Sequence, residues 1–292
     1  MTLTTALILL VKTSIITLMV SLGVGLDLKA LAIFRHRPWL ILRILLGTCV
    51  LVPLVALVLL KLPISFQMSP GARFGIALMA LSPSAPLTLR KANLQGGDRH
   101  LAALLQVAAA LTAILSIPVL VDVFRAAYQV EGWDIGPKTV ALQVAAVQVL
   151  PLSVGLLLRH WFPKVADRWA APLQKAAFLV ILMVVGVILV KMFPMLLAFA
   201  GENLVAIAGM GLMTAIALAI GYALGGNGVQ ERTTTALVTS MRNPGLALLF
   251  AITHGREIPG VTLAIVAYLL ITILTSVPFL RWSKAGRDHS RR

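Results

Sequence analysis

The sequence predicts an all-α membrane protein with about nine transmembrane helices. Of its 292 residues, 59% are hydrophobic and only 12% are charged. Apolar runs of about 20 residues, long enough to cross a bilayer, recur along the whole chain. The segments between these runs are too short to form a soluble domain with its own core. We therefore expect a single polytopic transmembrane domain over residues 1–292.

Nine apolar spans fit the sequence when each is closed by polar residues or by proline. They cover roughly residues 4–26, 39–60, 70–90, 101–121, 139–158, 174–197, 203–225, 233–251 and 260–280. The stretches 122–138 and 159–173 are the longest segments expected outside the membrane. An odd number of spans places the two termini on opposite sides.

The basic residues predict which side each terminus occupies. Alternate loops carry sixteen Lys and Arg residues on one side and six on the other. The positive-inside rule makes the richer side cytoplasmic. We expect the N-terminus outside a bacterial-type plasma membrane and a basic tail, residues 283–292, in the cytoplasm. The net charge of +15 is spread over short loops, which argues against a nucleic-acid-binding face.

Two spans are interrupted, the third by Ser82–Pro86 (SPSAP) and the eighth by Ser240–Gly245 (SMRNPG). The residues expected to break the helices are Pro83, Pro86 and Pro244. Unpaired peptide groups are costly in hydrocarbon, so such breaks persist only inside protein or beside a wet cavity. The third and eighth spans cross in opposite directions, which is typical of an inverted repeat with its broken helices meeting. The first repeat would cover about 1–125 and the second about 137–282.

Arg242 is the strongest candidate for a binding residue. A buried arginine in a span costs at least about 2.5–3.5 kcal/mol. It either holds the carboxylate or sulfate of a substrate or only stabilises the crossing. Further polar residues near the breaks either orient a ligand or satisfy freed backbone groups. These candidates are Asn243, Ser240, Thr239, Thr88, Ser84 and, in the fourth span, Gln106.

The sequence carries no enzyme signature within its spans. All five histidines fall in predicted loops or in the tail, and no span has metal-spaced His and Glu residues. We therefore expect no catalytic residue, no metal site and no cofactor. Transport driven by a gradient is the remaining class of function.

Several motifs in order resemble the bile acid:sodium symporter family over nearly the full chain. They are Ser21–Leu26 followed by Arg37-Pro38, Leu81–Pro83 continuing to Lys91–Asp98, and Met241–Ala247. The resemblance implies a panel and a core, with the broken helices crossing in the core. It also implies a small organic anion as the partner, moved across the lipid bilayer by alternating access.

The positions that bind sodium in that family carry different residues in this chain. Positions that carry ion ligands in the family correspond here to Thr48, Thr88, Leu89, Ala102, Gln106, Val238 and Arg242. Val238 replaces the shared glutamate, and Arg242 would repel a cation by about 4 kcal/mol at 4 Å with an effective dielectric of 20. We expect a proton or no coupling ion rather than sodium.

The function expected from the sequence is therefore secondary transport of a small organic anion. Two alternatives stay open at this stage. One is a passive anion facilitator, and the other is an intramembrane sensor or enzyme that binds without translocating.

Overall fold

The computed structural model describes residues 3–26, 36–83, 98–128, 136–254 and 258–290, and within these ranges the chain is helical without a β-strand. The α-helices are α1 Leu3–Gly25, α2 Pro38–Leu46, α3 Val52–Lys61, α4 Pro70–Leu81, α5 Arg99–Tyr128, α6 Pro137–Val144, α7 Leu150–Trp161, α8 Pro163–Glu202, α9 Leu204–Leu224, α10 Val229–Ser240, α11 Pro244–His254 and α12 Val261–Ser290. Two π-helical segments, π1 Gly47–Leu51 and π2 Ala145–Val149, join α2 to α3 and α6 to α7.

The predicted all-α membrane fold is confirmed. Within the described residues, seven helical stretches are long and apolar enough to cross a membrane, and they coincide with seven of the nine predicted spans. The other two predicted spans, 4–26 and 70–90, correspond to α1 and α4. Each of them contributes a shorter apolar helix, Lys12–Gly25 and Pro70–Leu81, to the described chain.

Residues 159–173, which the sequence predicts to lie outside the membrane, are helical except at Phe162. Helix α7 continues to Trp161, and α8 begins at Pro163 and runs for 40 residues. At 1.5 Å per residue, α8 is about 60 Å long, twice the hydrocarbon thickness. Hydropathy identifies only the apolar part of such a helix, so it does not show that the polar first turns are helical as well. Pro163 at the first helical position favours the helix start.

The two π segments have the same cause in the sequence. Each is followed after one residue by a proline, Pro53 after π1 and Pro151 after π2. A proline inside a helix has no N–H to donate, and its ring clashes with the carbonyl four residues earlier. Those carbonyls belong to Cys49 and Val147, in the middle of the π segments. The wider π turn relieves the clash without ending the helix.

The helices form two packed groups. In the first group, α1 packs along α7 and α8. In the second, α4 and α9 both pack on α12, and α10 packs on α9, α12 and α5. Contacts of α1 with α11, of α8 with α12 and of π2 with α5 join the groups.

Glycine allows the closest approach within the first group. Helices α1 and α7 cross at Gly23 and Gly155. A Cβ added to Gly23 would lie 2.5 Å from the Leu152 carbonyl oxygen and 2.8 Å from the Leu156 amide nitrogen. Since both atoms belong to the backbone, no side-chain rotation could relieve the clash. The two helices are therefore held at a separation that only glycine permits.

Helix α10 is polar for a helix at this depth. The span that it forms with α11, Val229–Thr253, has a mean hydropathy of 1.2 over its 18-residue apolar window, against at least 2.0 for the other six spans, and 83% of that window is buried. Four buried threonines on α10 each bond a different neighbour. The pairs are Thr233 with the Ser283 hydroxyl, Thr234 with the Asp98 amide (2.8 Å), Thr235 with the Gly221 carbonyl (2.7 Å) and Thr239 with the Thr48 hydroxyl (3.1 Å). Helix α10 is thus attached by hydrogen bonds on several sides.

The Gly23 crossing generates the first testable prediction. We expect Gly23→Ala to destabilise the protein by about 1–3 kcal/mol, because the new methyl group forces α1 and α7 apart. Gly186→Ala on α8 is the matched control, since a Cβ there meets no atom within 4 Å and alanine favours the helix by about 1 kcal/mol. Thermal unfolding in detergent measures both, and equal melting temperatures for the two variants would contradict the packing account.

Candidate functional site

The two interrupted segments of the chain touch each other. Helix α4 ends at Leu81, and α10 ends at Ser240, with three residues between it and the start of α11 at Pro244. The backbone amide of Asn243, in the second break, donates a hydrogen bond to the Ser82 carbonyl, in the first (3.0 Å). The structure therefore brings together the two breaks that the sequence identified.

The first break follows from the proline after Ser82. A residue that precedes proline is disfavoured in the α region, and Ser82 is extended, with φ −96° and ψ 91°. Its hydroxyl group donates to the Leu78 carbonyl (2.8 Å) and its amide to the Met79 carbonyl (3.1 Å). These two bonds satisfy part of the C-terminal end of α4.

The second break is built by Met241, Asn243 and Pro244. Met241 is extended, with φ −78° and ψ 100°, and Pro244 restarts the helix at the position that tolerates proline best. The Asn243 side-chain oxygen accepts a hydrogen bond from the Leu246 amide (3.2 Å), and the Asn243 carbonyl accepts from the Ala247 amide (3.1 Å). Asn243 is therefore the N-cap of α11.

The Arg242 guanidinium lies at the junction of the two breaks. The residue is 2% exposed, and its N–H groups donate to four main-chain carbonyls. They are Met79 (from Nε, 3.1 Å), Ala80 (from Nη2), Thr48 (from Nη1, 2.9 Å) and, at a longer distance, Thr239 (from Nη1, 3.5 Å). Met79 and Ala80 lie in the last turn of α4, Thr239 in the last turn of α10, and Thr48 in π1. One side chain thus joins three helical segments.

The charge of Arg242 is balanced by backbone dipoles. Three ion pairs are found among the described residues, and none of them includes Arg242. The C-terminus of a helix carries about −0.5 of an elementary charge. Two C-termini, those of α4 and α10, therefore supply about one negative charge to one guanidinium. Because the site is buried, these charge-assisted hydrogen bonds are only weakly screened.

Hydroxyl groups line the same junction. Thr239 and Thr48 share a hydrogen bond of 3.1 Å between their Oγ1 atoms, and the Ser240 hydroxyl donates to the Leu237 carbonyl (3.4 Å). All three residues are buried. In this structure the hydroxyl groups satisfy each other and the helix ends.

The candidate residues fall into three sets. Arg242, Asn243, Ser240, Thr239, Pro83 and Pro244 meet at the crossing. Gln106 is buried at 3% exposure on α5. Ser84, Pro86 and Thr88 lie outside the described residues. The substrate-binding role of the whole set stays a prediction.

Sequence reasoning missed the carbonyls that hold Arg242. The last-turn carbonyls of α4 carry a recognisable signal, because the Ser82-Pro83 pair ends that helix and leaves acceptors without intrahelical donors. The signal for the Thr48 carbonyl is weaker and consists of Gly47 at the start of π1 and Pro53 shortly after its end. Neither signal indicates that the arginine of the second break supplies the donors.

Ion ligands are scarce in the described part of the chain. It contains no group of three or more His, Cys, Asp and Glu side chains that could hold a metal. Val238, at the position where the family is expected to have its shared glutamate, is 1% exposed. An apolar side chain there offers no oxygen to a cation.

A carboxylate does pair with an arginine at the start of α10, away from the crossing. Glu231 accepts hydrogen bonds from Arg37, which lies just before α2. The Glu231 carboxylate, through this hydrogen bond and its charge, raises the pKa of Arg37. Since the Arg37 side chain is 46% exposed, the pair adds about 1 kcal/mol or less. It fixes the position of α10 relative to α2 without supplying charge to the crossing.

A model of the sodium bile acid symporter family matches residues 13–199. The matched range includes the first break and ends before the second. No curated protein matches the chain significantly.

The contacts of Arg242 generate a prediction about stability. We expect Arg242→Gln to destabilise the protein by about 3–5 kcal/mol, because buried carbonyls of α4 and π1 lose their donors. Arg43→Gln on α2 is the matched control, since Arg43 is an exposed arginine within a span. Melting temperatures in detergent should fall for the first variant only. If the two variants melt alike, the guanidinium does not hold the crossing together.

Proposed function

The chain belongs to the sodium bile acid symporter family, and on that premise we propose that it is a secondary transporter of a small organic anion. It works by alternating access in a bacterial-type plasma membrane, with the N-terminus outside and the C-terminus in the cytoplasm. Family membership supports a multi-pass membrane transporter of a small organic solute rather than an enzyme. The anion, the mechanism, the location and the orientation are parts of the proposal.

One observation carries the proposal about coupling, namely the set of carbonyls around Arg242. Four carbonyl oxygens from three segments converge on one positive group, as they would around a bound cation. The family resemblance places ligands of a second sodium ion at Thr48 and Arg242. We propose that the guanidinium is a permanent replacement for that ion. Transport then needs no sodium at this position.

The same geometry supports an anionic solute. The guanidinium balances the negative ends of α4 and α10. In addition, α11 has its N-terminus beside the crossing, at Pro244. A helix N-terminus carries about +0.5 of an elementary charge and favours an anion. In transporters with broken helices, such N-termini commonly face anionic substrate groups. The crossing is therefore positive on balance and suits a carboxylate or a sulfate.

Arg242 can act on the anion in two ways. Direct contact requires its N–H groups to leave the carbonyls, so that a carboxylate takes their place. Alternatively, Arg242 keeps its carbonyls and leaves anion binding to the α11 N-terminus and nearby donors. The observed hydrogen bonds favour the second role. The direct contact with substrate that the sequence predicts corresponds to the first role.

Two inverted repeats, about 1–125 and 137–282, complete the proposed architecture. The first group of helices, α1, α7 and α8, would be the panel, and the second group would be the core. The meeting of the Ser82 and Asn243 backbones supports this arrangement, since it joins one break from each repeat.

The transport prediction uses counterflow in proteoliposomes. We expect a labelled organic anion to enter faster when the same unlabelled anion is inside, because a carrier returns faster when it is loaded. Uptake that does not depend on internal anion would indicate a passive facilitator instead. Chemical conversion of the anion would indicate an enzyme, and binding without any uptake would indicate a sensor.

The coupling prediction uses sodium replacement. Exchange of sodium for potassium should leave both transport and melting temperature of the wild type unchanged. The double variant Val238→Glu with Arg242→Gln restores the glutamate and the glutamine that the family carries at these positions. Sodium should stabilise this variant by mass action, by about 2.7 kcal/mol at 100 times its dissociation constant.

The single variant Arg242→Gln is the control for the double variant, since it removes the guanidinium without adding the carboxylate. We expect it to respond to sodium less than the double variant does. Steep sodium dependence of the wild type would contradict the proposal that Arg242 replaces the ion.

A further inference from the structure

One buried amide outside the crossing donates to no acceptor among the described residues. Gln148 lies in π2 and is 2% exposed. Its Nε2 atom is buried and donates to no hydrogen-bond acceptor in the described part of the chain. Buried amides in folded proteins are almost always hydrogen-bonded, so an unpaired one requires an explanation.

Gln148 is positioned between the two groups of helices. Segment π2 packs against α1 on one side and α5 on the other. Helix α1 belongs to the proposed panel and α5 to the proposed core. In a carrier that works by alternating access, the boundary between the moving groups is where a solute is enclosed.

The depth of Gln148 follows from the crossing of α1 and α7. Gly23 faces Gly155 at this crossing and lies only two residues before the end of α1 at Gly25. Segment π2, which precedes α7 in the chain, also packs on α1, so it packs on the residues before Gly23. The two helices therefore run in the same direction. Gln148 precedes Gly155 by seven residues, about 10 Å, and lies level with Ile15 and Ile16 of α1.

Ile15 links this depth to the second break. A Cβ placed on Gly245 would lie 3.1 Å from Cγ1 of Ile15. Ile15 therefore packs directly on the start of α11. Gln148 and the α11 N-terminus lie at similar depths on the boundary between the two groups.

We propose that Gln148 is a binding residue for the transported solute and that its Nε2 donates to a carboxylate or sulfate oxygen. The inference rests on the proposed function, because it takes the solute to be an organic anion. An amide donor is suited to this role, since it binds an anion without adding a charge that must be desolvated in the empty carrier. The α11 N-terminus supplies the favourable potential, and Gln148 supplies a directed hydrogen bond.

Another glutamine on the same span provides the contrast. Gln143, five residues earlier in α6, donates from Nε2 to the Thr253 hydroxyl (3.3 Å). The two side chains have the same size and chemistry and lie on neighbouring turns. Gln143 has a partner within the protein, whereas the Nε2 of Gln148 has none among the described residues.

The test compares Gln148→Leu with Gln143→Leu in the full-length protein. A binding residue with an unpaired amide lowers the stability of the empty carrier. We therefore expect Gln148→Leu to raise the melting temperature in detergent by roughly 2–4 °C. Gln143→Leu makes the same substitution at a half-buried position and removes a made hydrogen bond, so its melting temperature should not rise.

The second measurement adds a carboxylate and a sulfate probe, potassium cholate and potassium estrone sulfate. Where a probe stabilises the wild type, we expect Gln148→Leu to bind it about 10-fold more weakly. Gln143→Leu should bind it like the wild type.

A melting temperature of Gln148→Leu at or below that of the wild type would show that the amide is structural and overturn the inference. Equal stabilisation of wild type and Gln148→Leu by a probe would overturn it as well. If neither probe stabilises the wild type, the comparison of the empty proteins decides. Failure of the proposed function is distinct, because wild-type counterflow would then be absent for every anion whatever the variants show.

Discussion

The structure depends on one buried positive charge placed where two helices end. Helices α4 and α10 bring their C-termini to the same point, and the unbonded carbonyls there would repel each other without a cation. The Arg242 guanidinium supplies the cation and has enough donors to bond both ends and π1. Because the charge is covalently attached, it is present at the crossing whatever the ionic composition of the solution.

The polar side chains of α10 also attach this helix to its neighbours along its length. Its threonines bond α12, the start of α5, α9 and π1, so a short and polar helix is held by its neighbours rather than by its own length. The junction of helix ends can then stay in one geometry during the proposed movement of the first group of helices against it. A rigid core and glycine-packed first group are what a carrier that moves rigid bodies requires.

Much of this architecture could be predicted, since hydropathy and proline are local signals. The seven long spans and the breaks after Leu81 and Ser240 were foreseen for that reason. The partners of Arg242 were not, because most of the carbonyls that bond it come from segments more than 160 residues away, and only the Thr239 carbonyl belongs to the preceding helix, α10. Helix α8 was shortened in the prediction, since a window of hydropathy does not identify polar helical turns. The inverted-repeat relation and the roles of the site residues stay predictions.

The low hydropathy of the α10 span has a consequence for how the protein is made. A translocon releases a segment into lipid according to its hydrophobicity, and threonines together with a central arginine make this segment a poor candidate on its own. Its hydrogen-bond partners lie in π1, α4, α9 and the start of α5, which are synthesised before it, and in α12, which is synthesised after it. We therefore expect the segment to stay at the translocon until the last helix emerges, so that the C-terminal helices enter the bilayer together.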